Sequence, residues 1–282
     1  MCSFQTETNT TYSQPLFKVT FDTNTLSGVV GPDQQAGAVD QEAYRMVHNA
    51  LKTGLIRGFF SEAVITLDAI GKKDKAAVLG ATRFVSETIS TAPNQVTIKF
   101  GPCWKRIDID PRIRTRIEAA LSIGIRALIG PRRFGDSPVV QGYGNDFYEA
   151  YPSGSAFETA VDATNTVDMA IVARGLGRAR VIELAKSFSE RDGATGELWL
   201  QGLERTRSNA ETKAVRLAVN EWADGEALAA HVGYNNDLFC TNDQGGDLAE
   251  GSVLHPQHRS WLRESYGVNF VNITEMAALL TL

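Results

Sequence analysis

The apolar run Leu16-Phe17-Lys18-Val19-Thr20-Phe21 breaks off at Asp22-Thr23-Asn24, the pattern of a buried strand that empties into a polar loop. Over residues 40–51 the positions Tyr44, Val47 and Leu51 recur at helical spacing, and Gly54 supplies a stop. Residues 55–60 read as a second strand. Ser61 caps the helix behind it and places Glu62 in the first turn. Strand, helix, strand, helix is the order of a parallel sheet. From about residue 71 to 154 this rhythm is lost. There residues 95–100 have strand character, and Asp110-Pro111 opens a helix whose stripe Ile113, Ile117, Leu121 and Leu128 runs to Gly130. Residues 134–155, rich in Gly, Pro, Tyr and Asn, read as a long loop. Helical pattern returns over 156–185, weakened at Gly175 and Gly177, and continues through Leu203 and over 211–222. A short helix at 225–232, a strand at Leu238-Phe239-Cys240, a helix near 257–266 and a strand at 268–271 follow.

The 282 residues are 43% hydrophobic and 22% charged, enough apolar material for a core without disulfides or structural metals. That composition excludes collagen-like, coiled-coil and disordered chains. No stretch approaches the roughly 18 apolar residues of a membrane span. Residues 1–15 are a polar arm without the basic and apolar parts of a secretory leader, so a cytoplasmic location is expected. Cys2, Cys103 and Cys240 form no paired motif and read as free thiols. The chain divides into the arm 1–15, a core of 16–70 with 206–282, and an insertion at 71–205.

In a parallel α/β sheet, ligands bind outside the carboxyl ends of the strands. Asp22, Glu62 and Asp243 each follow a strand directly. Asp224 opens the helix at 225–232; eight residues at ~1.5 Å carry the chain away from the edge, and four or five strand residues at ~3.3 Å return it. Asp224 and Asp243 are therefore expected on the same edge. Singly, each acid has an ordinary use as a cap or turn residue. Together, four carboxylates repel one another and take up protons unless a cation is present. Hard oxygen donors without His or Cys suit Mg²⁺ or Mn²⁺ rather than zinc.

The segments Val19-Thr20-Phe21-Asp22-Thr23-Asn24-Thr25-Leu26, Phe60-Ser61-Glu62-Ala63-Val64, Asn220-Glu221-Trp222-Ala223-Asp224-Gly225-Glu226-Ala227-Leu228-Ala229-Ala230 and Leu238-Phe239-Cys240-Thr241-Asn242-Asp243 resemble, in this order, the PIN domain family of ribonucleases. The ending Gly267-Val268-Asn269-Phe270-Val271-Asn272-Ile273-Thr274 is similar to that family's last strand. The resemblance covers about 110 residues, and the long stretch between the second and third acids departs from a compact member. It implies a three-layer α/β/α, Rossmann-like fold with a parallel sheet and a large, mostly helical insertion. It also implies hydrolysis of RNA phosphodiester bonds with one or two Mg²⁺ or Mn²⁺ ions. Asp22 and Asp243 would be direct ligands, and Glu62 and Asp224 would ligate or position metal-bound water. Asn24 and Thr241 would fix the carboxylates by hydrogen bonds, though Asn24 serves equally as a turn former. The neighbouring acids Glu221, Glu226 and Asp247 leave room for a one-residue shift of the assignment.

An acidic site accepts a polyanion only if basic groups flank it. Residues 95–135 carry nine Lys and Arg against three acids, a local +6 that leaves −11 elsewhere in a chain of net −5. Lys105, Arg106, Arg112, Arg114, Arg116, Arg132 and Arg133 are the candidate nucleic-acid contacts, with Trp104 and Phe134 to stack bases. A solvated face paired with acids elsewhere explains the arginines equally well. His255 and His258 read as surface residues, and Arg174–Arg178 lacks the third glycine of a dinucleotide loop. The sequence therefore predicts a metal-dependent ribonuclease; the alternative is a catalytically inactive PIN-like module that binds RNA or protein. Candidate partners are an RNA substrate, an antitoxin or other protein, and a second copy of the chain.

Overall fold

A computed structural model describes residues 15–34, 40–81, 83–92, 95–103, 110–131, 146–150, 154–194, 200–245 and 249–281. Five strands form one parallel sheet: β1 (Phe17–Phe21), β2 (Ile56–Ser61), β5 (Arg126–Leu128), β6 (Leu238–Cys240) and β7 (Phe270–Val271), in the order β5-β2-β1-β6-β7. The chain starts in the centre, builds outward through β2 and β5, then crosses back to pair β6 with the free side of β1. Val19 lies opposite Gly58 on one side and Leu238 on the other. The reversal makes the gap between the carboxyl ends of β1 and β6 a topological switch point, where open α/β sheets bind ligands.

Alternation along β1 sorts the two helical layers. Val19 and Phe21 join a cluster with Leu26 of α1 (Thr23–Val30), Val47 of α2 (Gln41–Lys52), Ile117 of α5 (Pro111–Ser122) and Met276 of α10 (Ile273–Leu279). Thr20 points to the opposite face, where its Oγ1 lies 3.0 Å from Nδ1 of the buried His231. That histidine belongs to α8 (Asn209–Gly233). Phe239 packs on the same side with Leu228 of α8, Ile171 of α6 (Ser155–Ala173) and Leu262 of α9 (Pro256–Tyr266). The fold is thus a three-layer α/β arrangement on a parallel sheet. Two short helices, α3 (Ala63–Thr66) and α4 (Lys75–Gly80), follow β2. The helix α7 (Arg178–Arg191) packs on α8 through Val181 and Ala185. Among the described residues no helix is long and apolar enough to cross a membrane.

Several expectations change. The helix expected to run to Gly130 stops at Ser122, because Gly124 takes a left-handed φ of +86° and Ile125 and Ala127 turn into the core. The residues beyond it form β5, so the 71–205 stretch contributes an edge strand to the sheet. The same stretch holds a strand not anticipated, β3 (Arg83–Ala92), paired antiparallel with β4 (Gln95–Cys103) in a separate hairpin. Helix 156–185 is two helices, broken by left-handed Gly175 and Gly177. Conversely, 211–222 and 225–232 are one continuous α8. Gly225 does not break it; it packs against the α6–α7 turn, where a Cβ would sit at ordinary contact distance, 3.5 Å, from Gly177 Cα.

Candidate functional site

Asp22 stands where β1 ends. Its N–H still donates to Cys240 O at 3.0 Å, so the backbone is pinned to β6 before it turns into α1. The carboxylate is gripped on both oxygens. Oδ1 accepts from Thr23 N at 2.6 Å, and Oδ2 accepts from Asn24 Nδ2 at 2.5 Å and Thr241 Oγ1 at 2.7 Å. Asn24 Oδ1 in turn accepts from Asn242 N at 3.2 Å, and Thr241 Oγ1 accepts from Asp243 N at 3.1 Å. The loops after β1 and β6 are therefore laced together through the two side chains expected to fix the carboxylates.

Asp224 reaches the same place from mid-helix on α8, rather than from the start of a helix. It lies beside Asp22 in a cavity of about 380 Å³, whose wall also includes Asp243 and Asp68. Asp243 is exposed, with Oδ1 accepting from Gly245 N at 2.7 Å. Its carbonyl accepts from Arg259, which also donates to Leu254 O at 2.7 Å. The four carboxylates share this cavity and act on one another electrostatically. Burial, opposed by the Thr241 hydrogen bond and reinforced by Asp68 and Asp243, pushes Asp22 up from 3.8 to about 6. Asp224 is raised well above its ordinary value by burial, then by Asp22, Glu221, Asp68 and Asp243.

Glu62 is not part of this wall. Ser61 remains in the strand, its hydroxyl accepting from Ala63 N at 3.2 Å, and α3 is a single turn that starts after Glu62. The Glu62 side chain leans over the end of β5, where Oε1 accepts from Gly130 N at 3.0 Å and Oε2 from Tyr148 at 3.4 Å. Asp68, six residues on, supplies the acid from this segment. Its Oδ2 accepts from Thr23 Oγ1 at 2.8 Å. Beside it stands Lys75 at the start of α4, only 3% exposed; Nζ donates to Asn220 Oδ1 at 3.0 Å and lies 3.7 Å from Asp68 Oδ1. Burial lowers the Lys75 ammonium, against the pull of Asp68 and Asp224. Lys72 completes the basic side of the cavity. Asp68, Lys72, Lys75 and Asn220 all escaped the sequence reading; Asn220, four residues before Asp224 on one helix face, was the most accessible of them.

The neighbouring acids have other work. Glu221 is buried and accepts from Val253 N at 2.6 Å and Gly177 N at 3.4 Å, tying α8 to two loops. Burial raises it from 4.5 to about 7. Glu226 is buried on the Glu62 side, near Gly130. Asp247 lies outside the described residues, as do Lys105, Arg106, Arg132, Arg133, Trp104 and Phe134. Arg112 pairs with the helix-capping Asp110 at 2.7 Å, Arg114 is exposed and Arg116 half-buried along α5.

Among the described residues, no group of three or more His, Cys, Asp or Glu side chains is placed to hold a metal ion. The donor chemistry nevertheless suits a hard divalent cation: carboxylates open to one cavity, two of them held protonation-prone by their neighbours. Such an ion keeps part of its water shell and needs only one or two direct carboxylates. No protein-family model, curated protein or solved structure matches the chain.

Proposed function

We propose that this protein is a PIN-like, metal-dependent ribonuclease that hydrolyses RNA phosphodiester bonds. One observation carries the reading: aspartates from four distant segments, 22, 68, 224 and 243, line one cavity at the switch point of a parallel sheet. The repulsion among them is costly as architecture and useful for capturing Mg²⁺ or Mn²⁺. Asp22, held by three donors, has its lone pairs fixed in direction, as a direct ligand requires. Asp243 and Asp224 flank it, and Asp68 stands in the role expected of Glu62. Asp22, with Asp224, Asp243 and Asp68 beside it, would hold a divalent cation, which would supply activation of water and neutralisation of charge on the phosphoryl oxygens. Asn24 and Thr241 hold Asp22 still while charge changes beside it.

The test is cleavage of mixed RNAs with Mn²⁺, with and without chelator, by the wild type and Asp22→Asn. Cleavage that needs the metal and is lost in the variant supports the enzyme; an uncleaved RNA pool overturns it. One feature favours the second reading, a non-cleaving binding module. Lys75 already places a cation of the chain's own against Asp68. Tight RNA binding that ignores Mn²⁺ and yields no product would select that reading.

A further inference from the structure

We infer that Lys75 and Lys72 form an anion half-site, which seats a phosphate group of the substrate against the aspartate wall; this rests on the proposed phosphodiester chemistry. An ammonium withdrawn from water needs its three donors satisfied. Among the described residues, one acceptor lies within hydrogen-bond distance of Lys75 Nζ, the Asn220 Oδ1 at 3.0 Å. Asp68 Oδ1, 3.7 Å away, adds an ion pair at longer range. Asn220, one turn before Asp224 on α8, holds the ammonium on the cavity lining beside that carboxylate. Lys72 is exposed and lines the same cavity, so two cations face it from one short segment.

The cavity is consequently bipolar. Its volume of about 380 Å³ falls within the range of sites that enclose small ligands. With all groups ionised, four carboxylates outweigh two ammonium groups, and an anion is repelled. A divalent cation on the acidic side cancels that excess and lifts the repulsion. Phosphate binding and metal binding are then thermodynamically coupled, each strengthening the other.

Calorimetry with 5′-AMP as the phosphate probe tests this on the full chain, with Mn²⁺ or with chelator. The wild type is expected to bind 5′-AMP only when Mn²⁺ is present. Lys75→Met should weaken that binding at least about tenfold, the scale of one charge-assisted hydrogen bond. Lys75→Arg should recover part of it, and Lys72→Met should weaken it by a smaller factor. Mn²⁺ affinity measured without 5′-AMP should be kept or improved in Lys75→Met, since a competing cation is gone. Circular dichroism checks folding; if Lys75→Met is unfolded, the exposed Lys72→Met decides. Unchanged 5′-AMP affinity in the folded variants, or no binding to the wild type, overturns the half-site. Lysine-dependent 5′-AMP binding without RNA cleavage would leave the half-site standing and remove the nuclease. Cleavage with lysine-independent binding would do the reverse.

Discussion

Removing one charge from the aspartate cluster should make the metal-free protein more stable, although it deletes the best-anchored side chain of the site. Asp22 is 7% exposed, and its carboxyl is raised from 3.8 to about 6. A shift of that size is worth about 3 kcal/mol of penalty on the charged form. The folded state retains a proton that the unfolded chain releases, so stability falls as pH rises from about 4 to 6 and the full penalty persists above. Asp22→Asn removes the charge but turns an amide NH₂ toward Asn24 Nδ2 or Thr23 N, leaving a donor facing a donor. That mismatch costs about 1–2 kcal/mol. The net expectation at pH 8 in chelator is a gain of about 1–2 kcal/mol for the variant. As pH falls towards 4 the wild type sheds its penalty, and the two stability curves cross. Urea denaturation across this range measures both curves. Adding Mn²⁺ should stabilise the wild type more than the variant, because a cation relieves the same repulsion. A variant less stable than the wild type at pH 8 in chelator would refute the argument that these carboxylates store repulsion.

Glu221→Ala leaves the buried Val253 and Gly177 N–H groups without their acceptor and should cost about 2–5 kcal/mol in urea melts. Glu221 is raised from 4.5 to about 7, so its contribution to stability falls as pH rises through that window; Glu221→Gln should flatten this dependence. Gly202→Ala drives a Cβ into the backbone carbonyl of Ala185, which α7 cannot move, and should cost about 2–3 kcal/mol by the same measurement. Reversing Arg112, Arg114 and Arg116 to Glu should weaken binding of a fluorescent RNA and reduce its log–log salt slope by up to about 2. Anisotropy titrations showing the same affinity and slope would remove α5 from the proposed RNA contact surface.

The strands β1, β2, β6 and β7 were legible because each is a short apolar run, and Asp22, Asn24, Thr241 and Asp243 were legible because they adjoin those runs. What is fixed by distant contacts was not. The apolar stripe 113, 117, 121 and 128 continues unbroken in sequence, and only the left-handed turn at Gly124 and the burial of Ile125 and Ala127 divide it into helix and strand. Gly225 looked like a break, but its partner Gly177 lies 48 positions earlier in the chain. Glu62 was displaced for a similar reason: α3 lasts one turn, which no local propensity announces, and its brevity delivers Asp68 to the cavity instead.

The pairing of Val19 with Leu238 has a consequence for how the protein is made. A ribosome adding about 5–20 residues each second needs roughly 10–40 s to travel between those two positions. Throughout that interval the central strand has one flank bare, an invitation to unwanted association that a chaperone would have to shield. Asp224 and Asp243 also arrive late. A nascent chain therefore carries no assembled acidic pocket until both of these residues have been added.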